Sequence, residues 1–178
     1  MLRSSSVLEA SIGMAAFNAL LDVDEEACTQ LNAADLILQH AVGRRVAIVG
    51  HFPFVERVQQ AATECWVLEL CPRPGDLPAD STDEILPQAD IVALSGTSLI
   101  NHTFDDLIRL CRPDAFVLLL GATAPLCPAL FEKGVDALSG TQVIRPLRVL
   151  QWVSQGATFR QIKQGGGLRL LTWIREKP

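Results

Sequence analysis

Val46-Ala47-Ile48-Val49-Gly50-His51-Phe52-Pro53 decides how this chain reads. Four apolar residues in a row, three of them β-branched, with no polar alternation, are the pattern of a strand buried on both faces. Gly50 closes the run. Pro53 then stands where a helix can begin, because a first-turn proline gives up no needed hydrogen bond, and residues 54–62 supply that helix. The order repeats downstream. Strands are expected near 65–70, 91–95 and 116–120, and a fifth at 135–138; glycines 96, 121 and 140 follow three of these runs. Between them, Ser81 and Glu84 have capping-box spacing for a short helix ending before Pro87. Thr103 with Asp105 and Asp106 opens a helix to Leu110, and residues 128–133 form a short helix ended by Gly134. Three prolines and a glycine make 72–78 a loop. Strand and helix in strict alternation are the βαβ signature. Right-handed crossovers then give an α/β fold: a Rossmann-like, doubly wound, mostly parallel sheet with flanking helices.

Working outward, residues 32–39 read as a helix ended by Gly43. Residues 6–21 read as another, with an apolar stripe of Leu8, Ile12, Ala16, Phe17 and Leu20. Acidic, polar residues 22–29 connect the two. The expected organisation is therefore 1–30 as an N-terminal helix and connection, and 31–178 as the Rossmann-like domain. At the other end Pro146 starts a helix to Ser154. Gly165-Gly166-Gly167 breaks the chain, and 168–174 adds a last strand at an edge, in antiparallel sense.

About half of the 178 residues are apolar, enough for a core without disulfides or metals. Net charge is −5, the opposite of a nucleic-acid binder's basic footprint, so no nucleic-acid partner is expected. No apolar run reaches the roughly 18 residues that span a bilayer, so no membrane partner is expected. Glu9 and Asn18 interrupt the N-terminal apolar stretch, which suits an amphipathic helix better than a signal peptide and makes the cytoplasm the expected location. The five cysteines, 28, 65, 71, 111 and 127, are odd in number with no C-x-x-C pair, as expected of free thiols in a reducing compartment.

In an open parallel sheet the ligand crevice lies beyond the carboxyl ends of the strands. The loops there contribute Gly50, His51, Phe52 and Pro53, then Glu69 and Asp76, then Gly96, Thr97, Asn101 and Thr103, then Gly121 and Thr123. Backbone N–H groups and hydroxyls at helix starts suit an anionic or polar ligand. The dinucleotide fingerprint is absent: Gly-His-Phe-Pro-Phe replaces G-x-G-x-x-G. Glu69, 19 residues after Gly50, stands where an acidic residue would meet a ribose, or is an ordinary strand-end carboxylate. His51, whose ordinary pKa lies near neutrality, is either a ligand or acid–base group or a loop imidazole bonded to a neighbour. His102 and His40 read as structural, and Asn101 or Thr103 equally suits closing its own turn. His51, Cys71, His102 and Cys127 form a mixed nitrogen and sulfur set able to hold a borderline metal if their loops converge.

Taken in order, Val49-Gly50-His51-Phe52-Pro53, Glu69 with Pro72-Arg73-Pro74-Gly75-Asp76, residues 95–103, Gly121-Ala122-Thr123-Ala124-Pro125-Leu126 and residues 134–140 resemble a known family over roughly 35–174. It is the Rossmann-like domain of unknown function labelled "putative heavy-metal chelation". The resemblance implies a second, enolase-like N-terminal domain, a site between the two, and a role with metals or chelating small molecules such as a tetrapyrrole or pterin derivative. Residues 10–20 resemble the last helix of that N-terminal part, and what precedes it is missing here. Either another chain supplies that wall or the site is more open.

The function expected is binding or handling of a small molecule or metal complex, with a metal ion or metal chelate as its cofactor class. The alternatives are a transferase-type enzyme with an S-adenosylmethionine-like cofactor lying over Glu69, and a non-catalytic subunit of a larger assembly. The expected partner is a second copy through residues 6–21, or a chain supplying the missing domain.

Overall fold

The computed structural model describes residues 1–176. Strands β1 (Arg45–Val49), β2 (Glu64–Glu69), β3 (Leu77–Pro78), β4 (Ile91–Ser95), β5 (Phe116–Leu120), β6 (Ala137–Val143) and β7 (Leu168–Ile174) form one sheet in the order β3-β2-β1-β4-β5-β6-β7. Every pair is parallel except β6–β7. The chain runs outward from β1 through β2 to β3, then returns to the other side of β1 with β4. The carboxyl ends of β1 and β4 are therefore where the loops diverge.

The apolar runs are strands because both of their faces are covered. Odd and even positions go to opposite sides, the period-two rule of a pleated strand. Val46, Ile48, Val67, Ile91, Ala93, Leu118 and Leu120 pack with α2 (Ala33–Ala41) and α3 (Val55–Ala61). Ala47, Leu68, Val92, Leu94, Val117, Leu119 and Leu138 pack with α4 (Thr82–Ile85) and α5 (Phe104–Leu110). Val46, Ala47 and Ile48 are all fully buried, and each side chain of Val or Ile size buried this way contributes about 1.5–3 kcal/mol.

Four expectations change. The fifth long run, β6, starts at Ala137 and continues through Gly140 to Val143, because β7 pairs along its whole length, with Gly140 opposite Leu171. A glycine ends the parallel strands but not one whose ladder an antiparallel neighbour extends. Gly140 is needed there for space: a Cβ would stand 2.6 Å from the carbonyl oxygen of Ala124. Ser81 and Glu84 form no capping box, because a 3-10 turn (Ala79–Ser81) runs directly into α4 and leaves Ser81 already helical. The proline-rich loop after β2 holds the two residues of β3, an edge strand that tolerates Pro78. After α6 (Pro146–Ser154) a further helix, α7 (Phe159–Gln164), precedes the glycines. Its Thr158–Gln161 capping box is complete, a T-x-x-Q signal that the sequence reading passed over.

The first helix, α1 (Val7–Leu20), turns a different face inward from the stripe expected. Ala10, Gly13 and Met14 are buried with Ile100, whereas Leu8, Ile12 and Leu20 are exposed. The small residues win because the N-terminal strand of chain crosses at Gly13, where a Cβ would meet the Leu2 nitrogen at 2.5 Å. Asn18 Nδ2 then donates to the Thr123 carbonyl at 3.1 Å, tying α1 to the loop after β5.

At the opposite end of the strands Asp90 gathers the starts of β1 and β4. Its carboxylate accepts from the Arg45 backbone N–H at 2.9 Å, from Arg45 Nη2 at 3.1 Å and from Arg112 Nη1 at 2.8 Å. Hydrogen bonds from Arg45 and the two guanidinium charges hold its pKa down to about 2 from an ordinary 3.8. The unfolded chain thus takes up this proton first, and the stabilisation is present above about pH 4 and lost as pH falls toward 2. With the side chain 26% exposed, solvent screening limits it to about 1 kcal/mol. Urea midpoints measured from pH 5 to pH 2 should therefore show Asp90→Asn less stable at pH 5 and the gap closing by pH 2. A gap constant across that range would show that the ion pairs do not set the acid sensitivity.

Candidate functional site

The site is built where β1, β2 and β4 end. β1 stops because Gly50 turns with φ +109, a conformation open to glycine, and because a Cβ there would press on the Ser95 Cβ at 3.1 Å and the Phe52 ring at 3.3 Å. Glu69, the last residue of β2, holds the loop that follows β1. Its Oε1 accepts from the His51 backbone N–H at 2.8 Å and its Oε2 from that of Leu70 at 3.1 Å.

His51 is fixed from a second direction. Its Nδ1 lies 3.0 and 3.1 Å from the two carboxylate oxygens of Asp76. Asp76 Oδ2 also accepts from the Arg73 backbone N–H at 3.0 Å, closing the turn in which Gly75 takes φ +96. The Asp76 side chain is 4% exposed and that of His51 25%. His51 Nε2 makes no hydrogen bond among the described residues, and no buried side-chain nitrogen or oxygen is left without a partner, so this nitrogen reaches solvent.

After β4, Ser95 Oγ and Thr97 Oγ1 are 2.8 Å apart, and Ser98 Oγ donates to the Ser95 carbonyl at 2.8 Å. Asn101 Oδ1 accepts from the Thr103 N–H at 3.2 Å and from its hydroxyl at 2.8 Å, so Asn101 and Thr103 do close their own turn. The Asn101 amide N–H2 remains without a partner among the described residues.

These ends enclose a cleft of about 680 Å³, lined among others by Gly50, His51, Phe52, Glu69, Ser95, Thr97, Asn101 and Thr103, with Leu107 and Leu110 of α5 as its apolar wall. A volume of roughly 300–1,000 Å³ is usual for a small-molecule site. Four carboxylates line it, Glu69, Asp80, Asp83 and Asp106, and no Lys or Arg does. Arg109, on α5, pairs with Asp106 at 3.0 Å. The helix starts point to an anionic or polar ligand, whereas this lining carries carboxylates and no Lys or Arg. Sequence reasoning missed Asp80, Asp83, Asp106 and Ser95. Asp106 had been read only as part of an acidic first turn, Asp80 and Asp83 had not been singled out, and Ser95 had been read as the end of a strand.

The other expected residues divide. Asp76 lies outside the cleft lining and touches it only through the His51 ring. Gly96 and Thr123 form the packing behind the cleft: a Cβ on Gly96 would stand 2.6 Å from the Ala124 nitrogen and 2.9 Å from Thr123 Oγ1. Pro53 and Gly121 line a neighbouring cavity of about 380 Å³ between the start of α2 and the ends of β5 and β6, which shares Phe52 with the cleft. His102, at φ +62, turns its Nε2 to the Ser4 carbonyl at 2.8 Å, a structural role. His40 stacks on Phe116. Cys71 is exposed and Cys127 half-buried, both outside the cleft lining. Burial pushes the Cys65 thiol up to about 11 and that of Cys111 to about 12. The structure does not bring His51, Cys71, His102 and Cys127 together. Among the described residues no three His, Cys, Asp or Glu side chains are placed to hold a metal ion between them.

A family model described as "Putative heavy-metal chelation", DUF364, matches residues 32–172. The chain belongs to this family. Among DUF364 crystal structures of unknown function, one from Desulfitobacterium hafniense superposes with a TM-score of 0.87 at 28% identity, over 98% of this chain and 72% of that one. One from Pyrococcus horikoshii has a TM-score of 0.81 at 23% identity, over 97% and 71%, and shares the fold. An uncharacterized protein of Methanocaldococcus jannaschii is 29% identical over 168 residues, 88% of this chain; the chain spans 64% of that relative's length. The high superposition agrees with the doubly wound DUF364 sheet described above. Among the described residues no helix is long and apolar enough to cross a membrane.

Gly96→Ala tests whether the loops after β4 and β5 are locked together. The new Cβ meets backbone, not a flexible side-chain end, so one loop has to move. Overpacking of this kind costs about 1–3 kcal/mol, and chemical denaturation should show a loss in that range. An unchanged midpoint would mean that the two loops separate freely.

Proposed function

We propose that this DUF364 chain binds a small polar molecule of net positive charge, or a metal complex, in the cleft over the ends of β1, β2 and β4. The observation that carries this is the chemistry of the lining: four carboxylates, a fixed imidazole and no Lys or Arg at the point where the sheet's loops diverge. Open α/β sheets bind ligands at that point. A cleft walled by one sign of charge concentrates ligands of the other, and the family's description with heavy metals agrees with that sign. Ser95, Thr97 and the free amide of Asn101 supply orienting donors and acceptors, and Leu107 and Leu110 an apolar wall.

Hexaamminecobalt(III), a compact trivalent cation, is the probe for the charge. Titrated into protein labelled with 15N, it should shift the amides of Glu69, Thr97 and Asn101. Inorganic phosphate and ADP should leave them in place. Asp80 and Asp83 are exposed, and Asp80→Asn with Asp83→Asn should weaken the cation several-fold without changing stability. Phosphate or ADP shifting the cleft amides while the cation does not would overturn the proposal.

A further inference from the structure

Resting on the cleft as the binding site, we propose that the metal reaches it already held in a complex, and that His51 Nε2 takes one open coordination position on that metal. Asp76 acts as the positioning residue.

Two observations point the same way. A bare transition-metal ion held by protein takes three or four side-chain ligands, and among the described residues no three His, Cys, Asp or Glu side chains are placed to do so. Yet one nitrogen donor is prepared as metal-bound histidines are: one ring nitrogen on a carboxylate, the other free. Asp76, 4% exposed and bonded to the Arg73 N–H, holds Nδ1 at 3.0 Å; Glu69 holds the His51 backbone N–H at 2.8 Å. A carboxylate accepts, so Nδ1 is the nitrogen that donates to Asp76, and in the neutral imidazole Nε2 then presents its lone pair. That pair reaches solvent on a residue lining a 680 Å³ cleft. One prepared donor in a roomy cleft fits a metal whose other positions are filled by a chelator, as a single axial histidine serves a haem. The acidic lining selects complexes of positive net charge. No bond to the chelator has to break: His51 displaces one weakly held water from the metal.

The probe is Zn²⁺ held by the tetraaza macrocycle cyclen, a dication with one open position; hexaamminecobalt(III), with none, is the control. Zn²⁺–cyclen should bind the native protein. Its affinity should fall 10–100-fold in Asp76→Asn, where an amide N–H can face Nδ1 and move the proton to Nε2, and at least as far in His51→Gln. The cobalt complex should change little in either variant. Long-range 1H–15N spectra of the metal-free protein should show His51 protonated on Nδ1, and on Nε2 in Asp76→Asn. Zn²⁺–cyclen binding equally well to His51→Gln, or native His51 protonated on Nε2, would overturn the assignment of His51. Neither complex shifting the cleft amides would instead overturn the cleft as the binding site. Zn²⁺ without cyclen binding more tightly at His51 than the complex does would overturn delivery as a complex.

Discussion

Everything in this fold depends on β1 being covered on both faces and both edges. Val46, Ala47 and Ile48 have no contact with water. Helices α2 and α3 lie on one side of them, α4 and α5 on the other, and parallel strands β2 and β4 at either edge. A strand so enclosed cannot slip by one residue, because a slip would exchange the side chains of two different cores. With β1 fixed, the positions at which β2 and β4 end are fixed too, and so is the gap between their loops.

The cleft follows from that gap through short-range bonds. Glu69 closes the loop after β1 and Asp76 closes the loop after β2, and both closures meet at His51. Neither carboxylate is spent on a guanidinium or ammonium. The ion pairs of Asp90 with Arg45 and Arg112 stand at the opposite, amino-terminal end of the central strands. One end of the sheet is thus stapled by salt bridges, while the other carries Glu69, Asp80 and Asp83 without a guanidinium partner among the described residues, Asp106 paired to Arg109, and a single oriented imidazole. This asymmetry makes the two ends of the strands chemically distinct.

Much of the fold was legible because its signals are local. Apolar runs of strand length closing on glycine, and the proline and acidic residues that open helices, gave the four central parallel strands to within a residue. They also gave the antiparallel edge strand at 168–174. The misreadings came where a local signal met a distant partner. Gly140 looked like a stop until β7 carried the ladder through it. The stripe on α1 looked buried until the chain around Leu2 claimed the small-residue face.

The sequence alone determined the four central strands, their parallel sense and the loops at their carboxyl ends, because burial period and turn chemistry act over a few residues. It also placed His51, Glu69 and Asp76 on those loops. Only the tertiary structure decided which of the candidates meet. Asp76 lies 25 residues beyond His51 and reaches its ring, whereas His102, with the same side chain, is turned away to Ser4. The sign of the cleft was likewise beyond the sequence. Asp80, Asp83 and Asp106 belong to two different helical starts, and their charges add only where the sheet's divergence sets those starts against one opening. Charge acts through space, and spacing along the chain does not encode it.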